Sequence, residues 1–148
     1  AGGGVGIAAP GDYAFAVSNA AIKLSELAVG IGPFVVGPVI ERRIGRGPFA
    51  AMAVDANWRD ADWCERHGLY ARVCSDVAMM DASINGLAGT LAASNPEAMM
   101  EMKRAFWEGT DDWDELLAAR ARISGGLVLS EFTRAAIAKF KGVSSSAD

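Results

Sequence analysis

The chain is 148 residues long, 51% hydrophobic and 22% charged, with a formal net charge of −4 at pH 7. This is the size and composition of one globular domain with a sizeable core, and it excludes a disordered or fibrous chain. The acidic balance, with no block of Lys and Arg, speaks against nucleic acid as the main partner. Two cysteines, Cys64 and Cys74, form no metal-binding or disulfide pattern and are expected to be reduced and buried, and no metal site is expected.

Taken in chain order, Gly2, Gly3 and Gly4 precede a small apolar run that predicts a short helix ending by Pro10-Gly11. "DYAFAV" and "AAIKLS" flank the turn-forming "SNA" and predict a hairpin of two short strands, directly followed by Ser25 and Glu26. "GPFVVGPVIERRIG" and "RGPFAAMAVDA" each read as helices, with Pro near the first turn and Gly beyond the last. "RDADWCERHG" predicts a helix closed by Gly68, and "LYARVC" a strand leading into a helix from Asp76 to about Ser94. Asn95 and Pro96 supply an N-cap and first-turn proline for "PEAMMEMKRAFWEG". "TDDWDELLAARARISGGLVLSEFTRAAIAKFKG" predicts a further helical stretch with acidic residues at its positive end. The organisation expected is an α/β portion over residues 1–75, a helical region over 76–142 and a tail over 143–148.

The longest apolar stretch, Leu27 to Ile40, is too short and too interrupted by Gly and Pro for a membrane span. No secretory signal opens the chain, so a cytoplasmic location is expected. Ala1 stands where a chain start would have Met, and the glycine-first opening reads as the middle of a motif, so an upstream part is expected.

Two features carry chemistry. Glycines at a helix N-terminus leave backbone N–H groups open to a polarised or anionic oxygen, although the same cluster also permits close packing of a helix on its neighbours. Glu26 follows a predicted strand within an apolar stretch containing Leu24, Leu27, Val29 and Ile31. One oxyanion site and one carboxyl base together suit proton abstraction beside a thioester carbonyl. His67, alone in its type, falls in the last turn of a predicted helix and reads as a capping residue. Trp58, Trp63, Trp107 and Trp113 read as core or interface, and Arg42, Arg43 and Arg46 as a solvated face.

The stretch "AGGGVGIAAPGDYAFAVSNAAIKLSELAVGIGP" resembles the centre of the crotonase family, the enoyl-CoA hydratase/isomerase superfamily. The likeness continues through "GPVIERRIGRGPFAAMAV", "DADWCERHGLYARV" and "NPEAMMEMKRAFWEG" to "SEFTRAAIAKFKG". It implies an α/β fold made of the last turns of a ββα spiral followed by a helical C-terminal region that packs homo-trimers or dimers of trimers. It also implies an acyl-CoA thioester substrate, with coenzyme A part of the substrate and no separate cofactor. By the resemblance Gly3 falls on an oxyanion-hole N–H with Gly2 and Gly4 beside it, and Glu26 falls on the family's acid/base glutamate. A further oxyanion N–H and much of the CoA pocket would come from the upstream part. Phe34 would border the acyl chain, while Phe132 and Lys139, with Phe140, correspond to last-helix positions that meet the CoA nucleotide. Gly6 departs from the pattern, because hydratases with two catalytic glutamates carry one there, so a single-glutamate site is implied. The alternative is a non-catalytic crotonase-like subunit that assembles or binds CoA.

Overall fold

Among the described residues, four helices and four short strands alternate in the first half of the chain, and four further helices make up the second. The computed structural model describes residues 1–144, with side chains through Lys139. In order these are α1 (Gly3–Ala8), β1 (Phe15–Val17), β2 (Ala21–Ile22), α2 (Gly37–Ile44), α3 (Arg46–Asp55), β3 (Arg59–Asp60), α4 (Ala61–Arg66) and β4 (Arg72–Cys74), then α5 (Val77–Ala92), α6 (Pro96–Phe106), α7 (Trp113–Val128) and α8 (Glu131–Ser144). A single 3-10 turn, Leu27–Val29, follows Glu26.

The two strands around "SNA" exist, but they do not form a hairpin. β1 lies parallel to β4 in the register Phe15↔Arg72 to Val17↔Cys74, and β2 lies antiparallel to β3, with Ala21↔Asp60 and Ile22↔Arg59. The turn itself is made, since Ala20 N–H donates to Val17 O at 2.9 Å, yet Ser18 N–H goes to Cys74 O at 2.8 Å. The turn therefore passes the chain from one two-stranded sheet to the other.

Helix boundaries follow local chemistry. Asp76 accepts the Met79 N–H and starts α5, while Asn95 accepts from Glu97 and Ala98 and starts α6. α2 begins at Gly37, later than expected, and α4 begins at Ala61 after Arg59 and Asp60 have been taken into β3. His67 closes α4, its Nδ1 lying 2.8 Å from Trp63 O and its ring stacked on Trp63 at 4.0 Å between centroids. The helical stretch expected to run on from Thr110 breaks at Leu129 and Ser130. There the Ser130 hydroxyl oxygen accepts the Thr133 N–H and caps α8, a bond that competes with continuation of α7. The tail expected from residue 143 is helical through Ser144, and residues 145–148 lie outside the described residues.

The core is built from the first half. Val5 of α1, Leu24 after β2, Ile40 of α2, Met52 of α3, and Cys64 and Leu69 around α4 are almost wholly removed from water. Beyond Cys74 the one buried residue among those described is polar, Thr133. α5, α6 and α7 bury none of their residues, and Met79, Leu91, Met100, Met102 and Leu129 stand exposed along this region.

Arg42 is exposed and Arg43 partly buried, as a solvated face implies, but both also bind backbone carbonyls of other elements. Arg42 donates to Phe106 O and to Glu108 O, so it caps the C-terminal end of α6 from another element. Arg43 donates to Asp12 O at 3.3 Å, and both Asp12 carboxylate oxygens accept from Lys103 at 2.8 Å. These contacts tie α6 to α2 and to the loop after α1. They ring a cavity of about 280 Å³ lined by Pro10, Val39, Phe106 and Trp107 among others. Arg46 is exposed and pairs with Glu41 at 3.0 Å.

Candidate functional site

The site begins with how α1 starts. Gly2 adopts φ 52°, ψ −119°, a conformation in the range that favours glycine, and its N–H donates to Lys23 O at 2.8 Å. This bond ties the start of α1 to the segment that leads from β2 to Glu26. Within the first turn the Gly4 N–H goes to Ala1 O at 3.1 Å and the Val5 N–H to Gly2 O at 2.9 Å. The Gly3 N–H has no acceptor among the described residues, as expected at a helix start. Gly3 is exposed, and a Cβ placed on it would meet nothing within 4 Å.

Glu26 enters from the other side. Its backbone carbonyl accepts from Val29 at 3.2 Å and from Ile31 at 3.0 Å, which closes the 3-10 turn directly behind it. Its side chain reaches α1, where Oε1 lies 3.2 Å from the position a Cβ on Gly2 would occupy. Its other oxygen, Oε2, is buried and has no hydrogen-bond partner among the described residues. A buried carboxylate oxygen without a donor is costly unless it has another use. The structure thus brings Glu26 to the start of α1, beside Gly2.

The remaining glycines divide by surroundings. A Cβ on Gly4, like one on Gly3, would meet open space, whereas a Cβ on Gly6 would fall 2.6 Å from Val36 Cγ1. Close packing is therefore the property of Gly6, and access that of Gly3 and Gly4. Position 6 has no room for a side chain while Val36 stands there.

Phe34 folds back over Gly32, where a Cβ would meet its ring at 2.8 Å, and it lines a cavity of about 210 Å³ with Pro38, Phe49, Ala53 and Arg120. Glu26 and the opening glycines are not among the residues lining that cavity. Phe132 lies at the first turn of α8, with one side of its ring against Gly30 and most of its surface exposed. Lys139 is exposed on the same helix, seven residues on and so on the same face, and the Phe140 side chain lies outside the described residues. Thr133, whose hydroxyl donates to Gly30 O at 3.3 Å, was not legible from "SEFTRA". Its partner is a backbone carbonyl more than a hundred residues away.

The comparisons with known proteins fall on this arrangement. A family model for enoyl-CoA hydratase/isomerase matches residues 1–141. The chain belongs to the enoyl-CoA hydratase/isomerase family. Its fold is that of crotonase-type solved structures. An enoyl-CoA hydratase/isomerase from Pseudoalteromonas atlantica T6c is 18% identical, with TM-score 0.85 over 95% of this chain and 57% of that one. An enoyl-CoA hydratase from Bacillus halodurans is 15% identical, with TM-score 0.83 over 93% of this chain and 56% of that one. An enoyl-CoA hydratase from Mycobacterium avium is 21% identical, with TM-score 0.80 over 95% and 55%. The chain therefore spans a little over half the length of these relatives, and the likeness at such identities is one of fold. The mixed α/β architecture with a helical second half corresponds to the C-terminal portion of that fold. No curated protein matches the chain. No helix among the described residues is long and apolar enough to cross a membrane.

Proposed function

We propose that this chain carries the acid/base half of an acyl-CoA enzyme that moves protons beside a thioester carbonyl, with Glu26 as its single carboxyl group. The observation that supports this most strongly is the Glu26 carboxylate, which lies against Gly2 at the start of α1 with Oε2 buried and without a hydrogen-bond partner among the described residues. In this reading the thioester oxygen accepts the open N–H of Gly3, and Gly2 and Gly4 keep the approach free of side chains. As Glu26 removes a proton from a carbon adjacent to the acyl double-bond system, charge develops on the thioester oxygen as an enolate, and the N–H stabilises it. The same carboxyl group then returns the proton to another carbon, which shifts the double bond with no net gain or loss of atoms.

Hydration would need a second group to hold and deprotonate water. Val36 occupies the space beside Gly6, so no carboxylate reaches the site from that position. Isomerisation is therefore favoured over two-glutamate hydration. The exposed ring of Phe132 and the ammonium of Lys139, on one face of α8, would meet the CoA nucleotide, and Phe34 would border the acyl chain. The uncovered apolar side chains of α5 to α7 are surface for a partner segment or subunit, and a homo-trimer or dimer of trimers is the assembly proposed. Free, buried Cys64 and Cys74 suit a reducing, cytoplasmic setting.

The test is Glu26→Gln in the full-length protein, assayed with α,β- and β,γ-unsaturated acyl-CoA thioesters. Turnover is expected to fall by about a hundredfold or more with thioester affinity little changed. Wild-type turnover in the variant would overturn the assignment and favour a non-catalytic, CoA-binding or assembly subunit.

A further inference from the structure

Thr133 is a polar residue whose whole surface is buried, the one buried residue among those described beyond Cys74. Its surroundings say why. The Ser130 hydroxyl donates to Thr133 Oγ1 at 3.1 Å, and the Thr133 hydroxyl donates to Gly30 O at 3.3 Å. Gly30 is the left-handed residue, φ 83°, that ends the 3-10 turn beginning at Glu26. A Cβ on Gly30 would fall 2.5 Å from the Phe132 ring and 2.7 Å from Thr133 Oγ1. The first turn of α8 is thus pressed onto the turn after Glu26 more closely than any residue but glycine permits.

That turn holds Glu26 by its backbone. Val29 and Ile31 both donate to Glu26 O, and Gly30 N–H donates to Leu27 O at 3.0 Å, so the peptide units from 26 to 31 form one hydrogen-bonded loop. The loop has no buried side chain of its own in the 3-10 segment, and Leu27 is exposed. Beyond its own bonds and the contact of Glu26 with Gly2, the turn is held by α8, whose Thr133 hydroxyl donates to Gly30 O.

We propose that Thr133 is a positioning residue, through which α8 fixes the turn that aims Glu26 at the start of α1. The chain of bonds runs from Ser130 through Thr133 to Gly30 O, and from the 3-10 turn to Glu26. A helix from the far end of the sequence thereby sets the geometry of the acid/base group. The catalytic consequence rests on the role proposed for Glu26, whereas the mechanical link does not.

The experiment uses Thr133→Val, which keeps the shape and removes the hydroxyl, and Thr133→Ser, which keeps the hydroxyl, in the full-length protein. Hydrogen exchange read by mass spectrometry on the peptide covering 24–36 is expected to quicken about tenfold at residues 29–31 in Thr133→Val, with α2 unchanged, and to remain near wild type in Thr133→Ser. With the unsaturated acyl-CoA thioesters, kcat is expected to fall about tenfold in Thr133→Val with KM within twofold, and to be restored by Thr133→Ser. Should Thr133→Val not fold, Thr133→Ala carries the same readings. Unchanged exchange at 29–31, or faster exchange with undiminished kcat while Glu26→Gln is inactive, would overturn the proposal. If Glu26→Gln is itself fully active, the reading of Glu26 fails, and the exchange measurement alone decides the link to Thr133.

Discussion

Glu26 Oε1 lies 3.2 Å from the point at which a Cβ on Gly2 would stand, so the absence of a side chain at residue 2 is what lets the carboxylate rest against α1. The contact joins two segments already tied by the bond from Gly2 N–H to Lys23 O. Gly2→Ala has two effects at once. It forces an alanine into φ 52°, ψ −119° and presses a methyl group on the carboxylate. Turnover is expected to fall by about a hundredfold, the cost of displacing a reacting group by an ångström or so. Gly47→Ala, in α3 with open space around it, is the comparison and should raise stability by about 0.5–1 kcal/mol without touching turnover. Equal turnover in both variants would remove Gly2 from the site.

Gly3 makes a different prediction, because nothing stands within 4 Å of its Cβ position. Gly3→Ala and Gly3→Val both fit the folded chain, so melting temperature should hold or rise in the alanine variant. If the thioester lies over this residue, Gly3→Val should still lower turnover by roughly a hundredfold, the scale of one lost oxyanion donor. A valine variant with wild-type turnover would show that the open N–H is not used.

Gly6 and Val36 form a pair that can be tested by a mutant cycle. A Cβ at residue 6 would meet Val36 Cγ1 at 2.6 Å and Val36 Cβ at 3.0 Å. Gly6→Ala alone should cost about 1–3 kcal/mol through overpacking. Gly6→Ala combined with Val36→Ala should cost less than the sum of the single changes, read from urea unfolding. Additive costs would mean that the two positions do not compete for the same space.

The parts of this fold that could be read in advance are those whose partners lie a few residues away. Asp76 and Asn95 satisfy N–H groups two or three residues on, so their residue types alone announce the starts of α5 and α6. Glu26 stood out because a carboxylate in an apolar stretch needs a reason, and the family resemblance supplied one. The pairing of β1 with β4 could not be read, because a turn at "SNA" is equally compatible with a hairpin and with a step between sheets. The choice is made by Cys74 O, which takes the Ser18 N–H. Arg42 is a surface cation whose acceptors are not readable for the same reason: Phe106 O and Glu108 O are backbone atoms more than sixty residues on. Thr133 has an ordinary sequence setting and becomes informative only when Gly30 O is found beside it.

Asn95 offers a check on the helical half. It accepts from Glu97 N–H at 2.9 Å and Ala98 N–H at 3.4 Å, and Pro96 after it needs no acceptor. Asn95→Ala should destabilise by about 1 kcal/mol, whereas Asn95→Asp should be nearly neutral or stabilising at the positive end of α6. A stability equal to wild type in the alanine variant would mean that α6 is held by its contacts with Asp12 and Arg42 alone.

Two core groups, Cys64 and Tyr70, are expected to weaken the fold at alkaline pH. Burial pushes the Cys64 thiol up from 9.0 to about 12, aided by the nearby Asp60 charge and opposed by Arg59. Burial raises the Tyr70 phenol as well, and a Cys64 thiolate would raise it further. For both groups the fold favours the neutral, protonated form, so their contribution is fully present below the unfolded-state pKa. It is lost as pH rises through the window from 9.0 towards about 12 for the thiol, where the unfolded chain releases a proton that the folded chain retains. The urea midpoint should therefore hold from pH 7 to 8.5 and decline above about pH 9. Cys64→Ala should be less stable throughout, from the small void it leaves, yet decline less steeply with pH. Tyr70→Phe should flatten the remaining slope above about pH 10. A Cys64→Ala curve parallel to wild type across the alkaline range would mean that the thiol is not what the fold protects.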